Sequence, residues 1–330
     1  MRWAYGVTTC PERRKTLLPI TLASLKKAGF GEPRLFVDGA SEKDYAEWAE
    51  LGLELTFRYP RMRVFGNWIL ALGELFIRDP GADRYVIFQD DIMASKNLRG
   101  YLEQLPYPDE GYWNIYTFPM NETLRPEGYI GFYPSNQLGK GALGLVFDRR
   151  GVITLLKHDY VVRRPPDPKT TNDAEQARWW KCVDGMVATA LAKDGYKEYV
   201  HYPSLLQHTG GENSLVQVLD AEHKVESGRL AKGSRITTDR PARWTTTSFR
   251  GEEYDLLQLV PTGIPTPDRI ENMGELELEM YQIHKAIEED EQRFYRTTDP
   301  DERRRIYQWQ RKYKEKLTAL ANQQAKMASK

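Results

Sequence analysis

Apolar and polar positions alternate in blocks along the first two thirds of the chain. Trp3 to Thr8 is a short apolar run ending in Thr8-Thr9, which predicts a strand. An apolar face then recurs at Leu22, Leu25 and Ala28 with helical spacing. Thr16 suits the N-cap of that helix, Pro19 falls in its first turn, where a missing N–H costs little, and Gly29 is a stop signal. Leu35-Phe36-Val37 reads as a second strand closed by Asp38-Gly39, residues 64–77 as a helix, and Tyr85-Val86-Ile87-Phe88 as a fully buried strand. Trp113 to Phe118 and Gly144 to Phe147 are further predicted strands. Met186, Val187, Ala190 and Leu191 carry a helical period after Asp184, and residues 202–207 form a short strand-like run that breaks at His208-Thr209-Gly210-Gly211.

Strands alternating with helices predict an α/β fold, a mostly parallel sheet with helices on both faces. Ligands of such sheets bind beyond the carboxyl ends of the strands. That rule selects Thr8-Thr9, Asp38 and Gln89-Asp90-Asp91 together. The pattern divides the chain into residues 1–215, a loop-rich segment 216–266 and a helical hairpin 267–330. In the hairpin an acidic helix, 268–291, and a basic one, 303–330, flank a break in which Pro300 suits the first helical position.

With 40% hydrophobic and 12% aromatic residues, the 330-residue chain can build a core, which excludes global disorder. The formal net charge of +0 makes local charge the relevant quantity: Lys224 to Arg250 holds seven Lys/Arg against two acids. Two cysteines, Cys10 and Cys182, exclude a disulfide framework and a Cys-rich zinc site. The N-terminus lacks a signal-peptide pattern, and no run reaches the roughly 18 apolar residues of a membrane span. The expectation is a cytoplasmic protein, in a bacterium or a virus-infected host, with no membrane span. Oligomeric state is not legible.

Adjacent carboxylates after a buried strand repel each other unless a cation offsets them. Asp90-Asp91 therefore suits Mg²⁺ or Mn²⁺, and through it a diphosphate, or else caps the next turn. His208, at a strand exit, is either a nitrogen ligand to that cation or a structural histidine. Asp184, before a helical run, is an N-cap, a general base for an acceptor hydroxyl, or both. Arg13 and Arg14 pair with phosphate or are solvated. Gly139 to Gly144 lacks the Gly-Lys-Ser/Thr ending of a P-loop and precedes a strand, so Gly141 reads as part of a close-approach loop beside a sugar or acceptor.

The ordered run Val7-Thr8-Thr9, Arg13, Leu22, Ser24-Leu25, Ala28-Gly29-Phe30, Phe36-Val37-Asp38-Gly39, Phe65-Gly66-Asn67-Trp68, Phe88-Gln89-Asp90-Asp91, Gly141 to Phe147, Asp184 and residues 203–208 resembles the nucleotide-sugar half of GT-A glycosyltransferases, over about residues 1–215. The resemblance implies a GT-A (Rossmann-like) domain that moves a sugar from a nucleotide sugar, with a UDP-sugar as the expected donor. It implies that Thr8, Thr9, Arg13 and Asp38 hold the nucleoside, that Asn67 lies near the nucleotide, and that Asp91, helped by Asp90, binds Mn²⁺ or Mg²⁺ with His208. Asp184 would be the base of an inverting transfer. Gln89 departs from the family's acidic triplet and adds no charge for a metal, and Val183 stands where an acid often precedes the base.

Without an anchor, the expected acceptor is cytosolic: a glycan, a lipid-linked sugar, a protein, or DNA. Arg235, Arg243 and Trp244, within the basic segment, suit backbone phosphates and a displaced base, which points to 5-hydroxymethylpyrimidine in viral DNA. A solvated loop is the plainer alternative. A non-catalytic sugar- or nucleic-acid-binding module is a rival class. A nucleotidyltransferase is another, although the Gly-rich loop it would carry after the first strand is absent from Val7-Thr8-Thr9-Cys10-Pro11.

Overall fold

The protein is described by a computed structural model at residues 1–162, 183–209 and 245–262, and at scattered positions between 283 and 320. It forms two units, Met1–Ile264 and Pro265–Lys330. In the first, the strands are β1 (Trp3–Thr9), β2 (Arg34–Asp38), β3 (Leu55–Arg58), β4 (Arg84–Gln89), β5 (Ile92–Ala94), β6 (Gly111–Asn114), β7 (Gly131–Pro134), β8 (Gly144–Phe147), β9 (Lys197–Tyr202) and β10 (Leu206–His208). The helices are α1 (Leu17–Lys27), α2 (Tyr45–Ala49), α3 (Arg63–Arg78), α4 (Leu98–Glu103), α5 (Pro119–Glu122), α6 (Arg149–Lys157), α7 (Asp159–Val162) and α8 (Val183–Lys193).

Eight strands form one sheet in the order β3-β2-β1-β4-β8-β6-β9-β7, while β5 and β10 pair separately. Four of its seven neighbouring pairs are parallel; β8 runs antiparallel between β4 and β6, and β7 antiparallel to β9. The apolar run of β4 follows from burial on both faces. Val86 and Phe88 pack with Leu18 and Leu25 of α1 and Leu98 of α4, whereas Tyr85 and Ile87 pack with Trp68 and Leu72 of α3, Leu155 of α6 and Val187 of α8. The α/β class expected from the pattern is the one observed.

Local boundaries differ where side chains replace the ladder. The strand expected over Trp113–Phe118 spans Gly111–Asn114, because Asn114 Oδ1 accepts the Tyr116 N–H (3.2 Å) and Ser204 Oγ accepts that of Thr117 (3.0 Å). Thr16 stands at the start of α1, but its hydroxyl donates back to Glu12 and Arg13 carbonyls instead of capping forward. Asp184 lies inside the first turn of α8. In the second unit the described residues at 283 and between 301 and 320 are helical, with Ile283, Ile306 and Leu320 buried. Most of the expected hairpin lies outside the described residues. Among the described residues no helix is long and apolar enough to cross a membrane.

Candidate active site

The parallel register of β1 and β4 sets Thr8 opposite Gln89 and so carries Thr9 to Asp90. The Thr9 hydroxyl donates to Asp90 Oδ2 at 2.7 Å, with both residues buried. After Gln89 the chain turns at Asp90-Asp91 into β5, and Thr21 of α1 holds that turn. Its hydroxyl lies 2.9 Å from the carbonyls of Asp90 and Ile92, to which it can donate, and accepts the Ile92 N–H at 3.1 Å.

Antiparallel pairing of β5 with β10 sets His208 opposite Ile92, and Thr209 N donates to the Asp91 carbonyl at 2.8 Å. His208 Nε2 thereby comes within 3.3 Å of Asp91 Oδ2, and Arg13 Nη2 approaches the same oxygen to 3.7 Å. Burial alone would raise the Asp91 pKa. The hydrogen bond and charge of His208 and the charge of Arg13 outweigh it, so the carboxyl is held below its ordinary value. Burial and the charge of Asp91 push Asp90 up to about 7, against the Thr9 hydrogen bond. The two carboxylates thus differ, with Asp91 the ionised partner and Asp90 the one that holds a proton more readily. Cys10, next to them, is no ready nucleophile: burial, then the Asp90 charge, pushes its thiol well above the usual range.

Buried polar atoms are normally paired. Among the described residues, Arg13 Nη1, Asp91 Oδ1, His208 Nδ1 and Thr209 Oγ1 are buried with no hydrogen-bond partner. The described residues contain no group of three His, Cys, Asp or Glu side chains able to hold a metal. Asp91 and His208 offer two ligands, which fit Mg²⁺ or Mn²⁺ only where substrate phosphate oxygens complete the shell.

Asp184 is joined to this centre through the loop before β8. Gly141 N donates to Asp184 Oδ2 at 2.8 Å and Gly185 N to Oδ1 at 3.0 Å, while the Gln89 side-chain amide donates to the Ala142 carbonyl at 2.9 Å.

The remaining candidates have local duties. Asp38 accepts the N–H groups of Met62 and Arg63 (2.7 and 2.9 Å) at the start of α3, and burial, only partly offset by these bonds, raises its pKa. Asn67 is buried, donates to the Phe36 carbonyl at 2.8 Å and accepts from Arg58 at 3.2 Å, so its amide is engaged on both sides. Thr8 Oγ1 makes a long contact, 3.3 Å, to the Phe88 carbonyl. Arg14 pairs with Glu47 and Glu50. Arg235, Arg243 and Trp244 lie outside the described residues.

Three contributors carry no sequence signal of their own. Thr21 looks like any helical threonine until β5 is known to pass beside it. Glu198, buried in β9, accepts from Ser135 Oγ at 2.6 Å and from Asn114 Nδ2 at 3.0 Å, and Asn114 also donates to the Lys140 carbonyl. Glu122 accepts from Thr246 Oγ1, from Thr247 Oγ1 at 2.5 Å and from Ser248 N at 2.9 Å. Gln207 meanwhile exchanges two bonds with the Thr246 backbone, which fixes residues 246–248 beside β10.

No protein-family model matches the sequence, and no curated protein matches it. Solved structures that align with this chain include a nucleoside-diphosphate-sugar pyrophosphorylase from Vibrio cholerae RC9 (11% identity, 66% of this chain and 98% of that one, TM-score 0.36). S. aureus TarS also aligns (12% identity, TM-score 0.36), with the chain covered over 61% and spanning 36% of TarS. So does its 1-349 portion in complex with UDP (13% identity, 61% and 60%, TM-score 0.36).

Proposed function

We propose that this chain is a nucleotide-sugar-dependent glycosyltransferase whose donor diphosphate binds at Arg13, Asp91 and His208. One observation carries the reading: Arg13, His208 and Thr209 converge on Asp91 beyond the carboxyl ends of β1 and β4, and each of these four residues has a buried polar atom with no hydrogen-bond partner. A cationic fork, an ionised carboxylate, an imidazole and a hydroxyl are the groups that a diphosphate and its divalent cation would satisfy. When bound, Mn²⁺ or Mg²⁺ would supply positive charge against the departing diphosphate.

The chain's own residues would do the rest. Arg13 offsets phosphate charge. Thr9 and Thr21 keep the Asp90-Asp91 turn in place, so that little reorganisation is needed as charge develops. Asp184, its carboxylate oriented by two backbone N–H groups and partly exposed to solvent, takes the proton of the acceptor hydroxyl. A single base facing the acceptor suits inversion. A UDP-sugar donor, and a hydroxymethylated pyrimidine of DNA as acceptor, complete the proposal on the strength of the sequence alone.

Calorimetry of UDP and other nucleoside diphosphates with Mn²⁺ tests the donor site. Binding that needs Mn²⁺ and weakens at least about tenfold in Asp91→Ala is expected, a loss of about 1.4 kcal/mol. Equal binding by Asp91→Ala would remove the assignment. Hydroxymethylcytosine DNA that fails to accept sugar at low salt would retire the DNA acceptor.

A further inference from the structure

We infer that Gln89 is a positioning residue that ties the acidic strand end to Asp184, and that an acid at this position would impair the site instead of strengthening it. The inference rests on the reading of Asp184 given above, but its mechanical part does not.

Gln89 is the last residue of β4, immediately before Asp90. Its side-chain Nε2 donates to the Ala142 carbonyl at 2.9 Å, and its backbone N–H donates to the Leu143 carbonyl at 3.1 Å. One residue upstream, Gly141 N donates to Asp184 Oδ2 at 2.8 Å. The turn between these contacts has almost no slack. Gly141 has φ +81, and a Cβ there would lie 2.3 Å from the Tyr116 ring; a Cβ on Gly139 would lie 2.3 Å from the Asp184 carbonyl oxygen. Asn114 holds the same turn from the far side through the Lys140 carbonyl at 3.0 Å. A displacement of Ala142 therefore carries Gly141 with it, and Gly141 is one of the two N–H groups that aim the Asp184 carboxylate.

The chemistry of the contact requires an amide. A carboxylate has no proton to give a carbonyl, so Gln89→Glu would set two acceptors 2.9 Å apart in a half-buried place while adding a negative charge next to Asp90 and Asp91. The neutral residue at the head of Gln89-Asp90-Asp91 is thus not a lost metal ligand. It is a donor whose partner is the loop carrying Gly141.

The test has two arms. Amide hydrogen exchange at Gly141 reads the tie without any substrate. Losing one such hydrogen bond changes a local opening equilibrium by about tenfold, so Gln89→Met, matched in length but with no donor, and Gln89→Glu are both expected to exchange Gly141 about tenfold faster than wild type. The second arm is turnover of the nucleotide sugar. Gln89→Met should lower kcat about tenfold with donor KM within about twofold, and should have no further effect in an Asp184→Ala background, because residues acting as one unit are not additive.

Unchanged Gly141 exchange in Gln89→Met overturns the tie. Additive losses with Asp184→Ala, or a Gln89→Glu variant that binds Mn²⁺ more tightly and turns over faster, overturn the positioning role. If Gln89→Met does not fold, Gln89→Asn keeps the amide one methylene short of Ala142 and should give the same rise in exchange. A wild-type protein that turns over no nucleotide sugar would remove the proposed function, while the exchange arm would still decide whether Gln89 holds the turn.

Discussion

Thr21→Val isolates the part of the site that owes most to a single hydroxyl. Valine keeps the shape of threonine but can neither accept the Ile92 N–H (3.1 Å) nor donate to the carbonyls of Asp90 and Ile92 (2.9 Å each). Thr21 is fully buried, so water does not replace the lost partner. A stranded buried donor costs about 1–3 kcal/mol. Taking about 2 kcal/mol, and about 2–4 °C per kcal/mol for a domain of this size, Tm should fall by roughly 4–8 °C. Thr21→Ser keeps the hydroxyl and loses one buried methyl, about 1 kcal/mol, so its melt should sit between valine and wild type. Differential scanning calorimetry of the three proteins decides the matter. A Thr21→Val protein that melts with wild type, or a serine variant that melts below the valine variant, would show that the hydroxyl does not hold the Asp90-Asp91 turn.

Two buried titrating groups give opposite slopes of stability with pH. Burial pushes His201 down to about 4, despite its bond to the Pro203 carbonyl, so its contribution is present above about 6.5 and is lost as pH falls through 4. Burial, with the Asp184 charge, pushes Glu198 up to about 7, so its contribution is present below 4.5 and is lost as pH rises through 7. Glu198→Gln removes the second slope and should gain on wild type by about 3 kcal/mol between pH 4.5 and pH 8 in urea titrations; a pH-independent difference would refute this. Glu122→Ala frees the hydroxyls of Thr246 and Thr247 and the N–H of Ser248 and should increase proteolytic cleavage near residue 245, read by limited digestion, with cleavage unchanged if the clamp is inert. Asp184→Ala should lower sugar transfer by at least about a hundredfold, in line with the loss of a general base, while leaving Mn²⁺-dependent nucleotide binding intact.

The centre of the sheet is legible because its strands are buried: Tyr85 to Phe88 reads as a core strand, and the carboxyl-end rule then leads to Thr9, Asp90 and Asp91, whereas the edge strands β3 and β7 are only partly buried and carry no such run. The strand-like run before His208 is legible, but its partner is not: β5 spans three residues, too few for a period, and its pairing with β10 is what brings His208 to Asp91. Asp38 shows the reverse case. Its place at the end of β2 was readable, but its engagement with the amides of Met62 and Arg63 depends on the start of α3, which lies 25 residues on. Gln89 read as a deficit, because sequence supplies the type of a residue and not its partner. The Ala142 carbonyl that makes an amide necessary comes from a turn 53 residues away.

The most direct measurement is the release of nucleoside diphosphate from a panel of nucleotide sugars, with and without Mn²⁺, by wild type and Asp91→Ala. Release from at least one nucleotide sugar, dependent on the divalent cation and reduced at least about a hundredfold in Asp91→Ala, is the expected result. Absence of release from every nucleotide sugar, or release that Asp91→Ala leaves intact, would contradict a nucleotide-sugar site at the end of β4.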